Sequence, residues 1–199
     1  MNIGILGSGH IAMAIAGHAT GAGYPVMISR RGDPESLAPN VATLGPSARA
    51  GSFQNAAEFG DIVFIAVVWD AVPAVTAQIP TWDDKIVVDP TNPLRAENGG
   101  ITVLEYAAAT SSEVIADLVP GARLVKGFCT YTAADLAADP QVDGWRRVMM
   151  LAGDDNAAKL AVAALTSDMG FAPVDAGTLV EGGGKFQVGG PLRAQLRGF

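Results

Sequence analysis

The chain has 199 residues, of which 49% are hydrophobic and 17% charged, and its formal net charge is −7. That length supports one substantial core and is short for two domains, while the acidic balance without a long basic run speaks against a nucleic-acid partner. The single cysteine, Cys129, excludes an internal disulfide, and no apolar run reaches the roughly 20 residues that cross a bilayer, so neither a signal peptide nor a membrane span is expected and a reducing cytoplasm is the expected setting.

Asn2-Ile3-Gly4-Ile5-Leu6 is a near-continuous apolar run ending at a glycine, the pattern of a short buried parallel strand. Gly7-Ser8-Gly9-His10-Ile11-Ala12 then fits the G-x-G-x-x-G/A turn of dinucleotide-binding units. Gly7 permits the tight turn, Gly9 lets backbone approach a pyrophosphate, and Ala12 is small enough for close packing of the next helix on the strand. That helix is expected from about His10 to Thr20, and its first amides, without intrahelical partners at the positive end of the dipole, form an anion site. A second strand, Tyr24 to Ser29, completes the context the motif requires.

The end of that strand selects the dinucleotide. An NAD-specific unit usually places an acidic residue there, whereas this chain has Ser29-Arg30-Arg31, a hydroxyl and two guanidinium groups suited to the 2′-phosphate of NADP. The cofactor contacts expected from this unit are Gly7, Ser8, Gly9, His10, Ile11, Ser29, Arg30 and Arg31. Asp33 and Glu35 stand close enough to pair with the arginines instead, and His10 either reaches a phosphate or substrate or faces solvent.

Strands go on alternating with helical stretches, which predicts an α/β fold, a Rossmann doubly wound and mostly parallel sheet. Pro34 to Ala38 is expected to start a short helix, Val41 to Leu44 to form an edge strand, and Ser52 to cap a helix through Phe59. Ile62 to Val68, apolar throughout, reads as the central strand. Val67, Val68 and Trp69 at its carboxyl end are expected on the cofactor side, because open α/β sheets bind ligands there. Trp69 either covers the ribose or nicotinamide or packs in the core, and Asp70 is expected to cap a helix from Ala71 to Gln78.

Lys85 to Asp89 is the next strand, followed by Pro90-Thr91-Asn92-Pro93, a turn stiffened by proline on both sides. Asn92 offers a donor and an acceptor to a carboxamide or a flavin-like ring, or else holds the turn closed. Ser111 or Ser112 is expected to cap a helix, Glu113 to Leu118, that Pro120-Gly121 closes. Arg123 to Phe128 forms another strand, and Cys129-Thr130-Tyr131-Thr132 a loop opening toward the same site. After a polar surface loop, Asp139 to Gly144, come a strand from Trp145 to Leu151, a helix capped by Asp154 or Asp155 and ending near Met169, and a last strand from Phe171 to Val174. The glycine-rich tail from Gly182 to Phe199 reads as an arm or part of a subunit contact.

The sequence carries no metal-ligand cluster, no G-x-S-x-G elbow and no Walker loop, and its only histidines are His10 and His18. Hydride transfer between two cofactor-like rings fits this scarcity, since it needs placement more than acid-base groups.

Together, Gly7 to Ala12, Ser29-Arg30-Arg31, Val87-Val88-Asp89-Pro90-Thr91-Asn92-Pro93-Leu94, Val125-Lys126-Gly127-Phe128, Ala152-Gly153-Asp154-Asp155 and Pro173-Val174-Asp175-Ala176-Gly177 resemble the deazaflavin (coenzyme F420)-dependent NADP oxidoreductases over nearly the whole chain. The resemblance implies a Rossmann domain with a small C-terminal extension, a homodimer, and hydride exchange between NADPH and a deazaflavin. It also implies that the glycine-rich turn and the Ser-Arg pair hold NADP, with Asn92 and Pro93 near the nicotinamide and the flavin-type ring. This chain departs from the family at Cys129, where asparagine is common, and at Val180 to Lys185, where an Ala-Arg-x-Leu-Glu pattern often follows.

The resulting expectation is one NADP-binding domain over residues 1–199, with 177–199 as extension, moving hydride between NADP(H) and coenzyme F420 or another flavin-type co-substrate. A shallow cleft bounded by Trp69, Asn92, Pro93 and Cys129 is expected beside the nicotinamide, with Asn92, Pro93 and Cys129 on the substrate side. An NADP-binding sensor without turnover and a reductase of small imines or ketones are the alternatives.

Overall fold

Two apolar tetrads buried at every position, β1 (Ile3–Leu6) and β4 (Ile62–Ile65), form the middle of the sheet in the computed structural model, which describes residues 1–97, 100–104 and 110–192. Parallel strands covered on both faces need this continuous apolar character. β2 (Val26–Ser29) and β3 (Ala48–Gly51) extend the sheet on one side, β5 (Ile86–Asp89) and β8 (Arg123–Lys126) on the other, all in parallel. β11 (Val148–Gly153) joins antiparallel to β8, and β12 (Ala172–Asp175) pairs in parallel with β11, giving the order β12-β11-β8-β5-β4-β1-β2-β3. Strand order reverses between β1 and β4, the place where doubly wound sheets open a ligand crevice.

One face of the sheet is covered by α1 (His10–Gly21) and α7 (Asn156–Asp168), whose Ile15, Ala19, Val162 and Leu165 share a core with Ile5, Ile28, Phe64 and Val125. The other face carries α3 (Phe53–Phe59), α4 (Val72–Thr76) and α5 (Ser111–Leu118), which bring Phe53, Val72 and Ile115 onto Leu6, Val63, Ile65 and Val87. Smaller elements are α2 (Ala38–Leu44), α6 (Ala133–Ala137), α8 (Gly184–Phe186), and two antiparallel hairpins, β6 (Leu94–Glu97) with β7 (Gly100–Val103) and β9 (Gln141–Val142) with β10 (Trp145–Arg146). No helix among the described residues is long and apolar enough to cross a membrane.

Several local expectations are corrected. Residues 41–44 lie in α2 rather than in a strand, and the edge strand is Ala48–Gly51. The strand from Ile62 stops at Ile65, so Ala66 to Val68 lie beyond its end. The segment Trp145 to Leu151 divides at Arg147: Trp145–Arg146 folds back on Gln141–Val142, while Val148–Gly153 enters the main sheet. Thr110, not Ser111 or Ser112, caps α5, through a capping box with Glu113. Ser52 and Asp155 cap α3 and α7 as expected. The end of the tail, 193–199, lies outside the described residues.

Candidate functional site

The first loop of the site has the shape that a close-approaching anion needs. Gly7 sits at φ +131°, and a Cβ there would lie 2.1 Å from the Ala66 carbonyl oxygen, so the β1 turn and the chain leaving β4 touch through backbone. Gly9 is different: a Cβ there would meet no protein atom within 4 Å. Its lack of a side chain leaves open space in front of α1. That helix begins at Gly9 without a side-chain cap and without an acidic residue in its first turn, so its free amides and positive dipole end face outward unneutralised. Ser8 and Ile11 are half-buried around this opening, and His10 is exposed.

At the end of β2, the Ser29 hydroxyl is buried and donates to the Ile5 carbonyl at 2.8 Å, which fastens β2 to β1 instead of presenting the hydroxyl to a ligand. Arg30 and Arg31 are exposed. Neither pairs with a carboxylate among the described residues; Asp33 accepts from the Glu35 amide at 2.9 Å. Two exposed cations without partners beside an uncapped helix end suit a dinucleotide that carries an additional phosphate.

The expected ring cleft is not assembled as anticipated. Val67 is half-buried, Val68 is 75% exposed, and Trp69 is 7% exposed, packed with Leu6, Ile65 and Val72. Trp69 lines a cavity of about 160 Å³ with Asp70, Val72, Pro73, Val114 and Leu118, not with Asn92, Pro93 or Cys129. Asp70 does not cap the following helix. Its carboxylate accepts from Arg95 Nε at 2.9 Å and Nη2 at 2.8 Å, and the guanidinium holds its pKa below the ordinary value. Asn92 donates to the Cys129 carbonyl at 2.9 Å and accepts from the Val188 amide at 2.8 Å, so its amide binds protein from both ends. Pro93 is buried, and Cys129, 2% exposed, packs with Ala152 and Phe186. Phe128, just before it, adopts φ +61°, a strained conformation for an aromatic residue that is offset by burial of its ring against Phe64 and Phe171.

A groove of about 750 Å³ runs between α1 and α6 past His10, Met13, Gly17, His18, Ala133 and Ala137. His18 is committed to packing: Nε2 lies 2.6 Å from the Leu136 carbonyl and its ring meets Phe171 edge-on.

Sequence reasoning missed a buried polar network behind the Asn92 turn. Asp89 and Lys126 end the neighbouring strands β5 and β8 in register, both fully buried, with Nζ 3.0 Å from Oδ2. Ser112 donates to the same oxygen at 2.7 Å, while the Thr91 amide and hydroxyl donate to Oδ1 at 2.8 and 2.6 Å. Lys126 also donates to the Thr91 carbonyl at 2.6 Å and to Ser111 Oγ at 3.4 Å. Gln187 Oε1 accepts from the Ser111 amide and hydroxyl at 3.0 and 2.9 Å. The available signal was a charge at the last position of each strand, Asp89 after three apolar residues and Lys126 after Leu124 and Val125.

Residues 2–93 match the family described as NADP oxidoreductase, coenzyme F420-dependent. Over those residues, 92 of the 199, the chain belongs to that family. The solved structure of hypothetical protein SMa0349 from Sinorhizobium meliloti is 36% identical at a TM-score of 0.89, with 96% of this chain and 92% of that chain covered. A structure from Arthrobacter sp. FB24, provisionally assigned as an F420-dependent NADP reductase, shares the fold at a TM-score of 0.80 and 24% identity, covering 99% of this chain and 90% of that one. Metalloreductase STEAP3 of Rattus norvegicus is 33% identical over 178 residues, 89% of this chain, and the chain spans 34% of that protein's length. The open, uncapped turn, with no ion pair at Arg30 or Arg31 among the described residues, fits the NADP named in that family's description.

Proposed function

We propose that the chain transfers a hydride between NADP(H) and a flat ring acceptor of the deazaflavin or flavin class, as a homodimer in the cytoplasm. The observation that carries the cofactor half is the uncapped start of α1, with open space at Gly9 and with Arg30 and Arg31, which form no ion pair among the described residues, directly after the Ser29 carbonyl that accepts from the Gly7 amide. The family description and the scarcity of acid-base groups support the acceptor half. NADPH, when bound, supplies the hydride. The first amides of α1 would hold the pyrophosphate, Arg30 and Arg31 would hold the 2′-phosphate through charge-assisted bonds, and the exposed Val68 would offer an apolar surface beside the turn.

The test mixes purified protein with NADPH and, in turn, deazaflavin, FMN and riboflavin, and follows loss of nicotinamide absorbance. Turnover with a ring acceptor is expected; tight NADPH binding without turnover on any of the three overturns the reading in favour of a sensor. Replacing Arg30 and Arg31 together with Ala is expected to weaken NADPH about 100-fold, from the loss of roughly 3 kcal/mol of charged hydrogen bonding, and NADH by less than about 3-fold. Equal weakening of both in a calorimetric titration would remove the 2′-phosphate assignment.

A further inference from the structure

Asp89, Lys126, the adjacent Ser111 and Ser112, and Gln187 come from four parts of the chain, yet their bonds form one connected path at the carboxyl ends of β5 and β8. Its outer contacts reach backbone: Lys126 on the Thr91 carbonyl, and Gln187 on the Ser111 amide. Next to Gln187, the Val188 amide donates to Asn92, so the C-terminal segment is tied to the turn 90–93 and to the start of α5 across 96 and 76 residues of sequence. A buried ion pair contributes little net stability compared with apolar residues of the same size, whereas it does define position. Backbone is being positioned here at the end of the sheet where an α/β fold receives its ligand.

We infer that Gln187, backed by the Lys126–Asp89 pair, is a positioning residue for hydride transfer: it latches the C-terminal segment onto the start of α5, which holds the adjacent Val188 amide on Asn92 and so sets the acceptor side of the site. This rests on the hydride-transfer reading above. Ser111 donates twice to one oxygen of Gln187, so an acceptor is all the latch requires at that position. A carboxylate supplies an acceptor and an alanine does not.

The experiment compares wild type, Gln187→Ala and Gln187→Glu in the full chain. Gln187 is half-buried and lies outside the ion pair, so both variants are expected to fold. Gln187→Ala should lower kcat about tenfold, the scale of one or two lost hydrogen bonds, with the NADPH dissociation constant unchanged within about 2-fold. In the protein without NADPH, hydrogen exchange at the Val188 amide should accelerate about tenfold. Gln187→Glu should restore both. A fall in melting temperature with unchanged kcat, or a Glu variant as impaired as the Ala variant, overturns the latch. If wild type is active and Gln187→Ala is equally active, the latch alone fails. If wild type is inert with all three ring acceptors, the hydride-transfer reading fails and takes the latch with it.

Discussion

Gly7 and Gly9 occupy the same motif for different physical reasons, and the difference is measurable. A methyl at Gly7 would collide with the backbone of Ala66 while forcing a side chain into φ +131°. Gly7→Ala is therefore expected to cost about 2–4 kcal/mol, from overpacking and the unfavourable dihedral together. A methyl at Gly9 meets open space, so Gly9→Ala should leave stability within about 1 kcal/mol, the remaining cost being its poorer fit at a helix N-cap. NADPH affinity should nevertheless fall about tenfold or more in Gly9→Ala, because the space it fills is where the pyrophosphate approaches. Urea unfolding and calorimetric titration of the two variants separate the roles; wild-type NADPH affinity in Gly9→Ala would show that the open space is not used.

At the level of elements, legibility followed the type of signal. Ser52 with Asn55 and Asp155 with the α7 amides announce helix starts by local chemistry, and both were readable. Val41 and Thr43 suggest a strand by β propensity, but tertiary packing makes their segment helical, while the edge strand Ala48-Arg49-Ala50-Gly51 has almost no apolar pattern to announce it. Asp70 looks like a cap until Arg95, on a hairpin the sequence did not reveal, claims it. Asp175 shows the same long-range control: the Gly177 amide first, and then Lys159 of α7, hold its carboxyl below the ordinary range. A lowered native pKa adds stability above the unfolded value, and that stability is lost as pH falls through the lowered value. The stability gap between wild type and Asp175→Asn should thus be present at pH 7 and shrink below the ordinary aspartate value of about 3.9. Urea midpoints taken across that range decide it; a gap independent of pH would remove the carboxylate from the α7–β12 connection.

Across the whole molecule, the dinucleotide half was legible because its motif is contiguous, running from β1 through α1 to the arginines after β2. The other half depends on contacts between residues far apart in sequence, and no local pattern announces that Asn92 meets Cys129 and Val188 or that Lys126 meets Asp89. The ion pair joins β5, β8, the turn after β5 and the start of α5, so its loss is a global event. Lys126→Met leaves a buried carboxylate without its cation and is expected to cost about 3–5 kcal/mol. Adding Asp89→Leu removes the stranded charge and should recover about 1–2 kcal/mol, but not all, because Thr91 and Ser112 lose their acceptor. A double-mutant cycle by urea unfolding measures this coupling. If the two substitutions simply add, the charges are stabilised separately by Thr91, Ser111 and Ser112, and the pair is not the joint between β5, β8 and the start of α5.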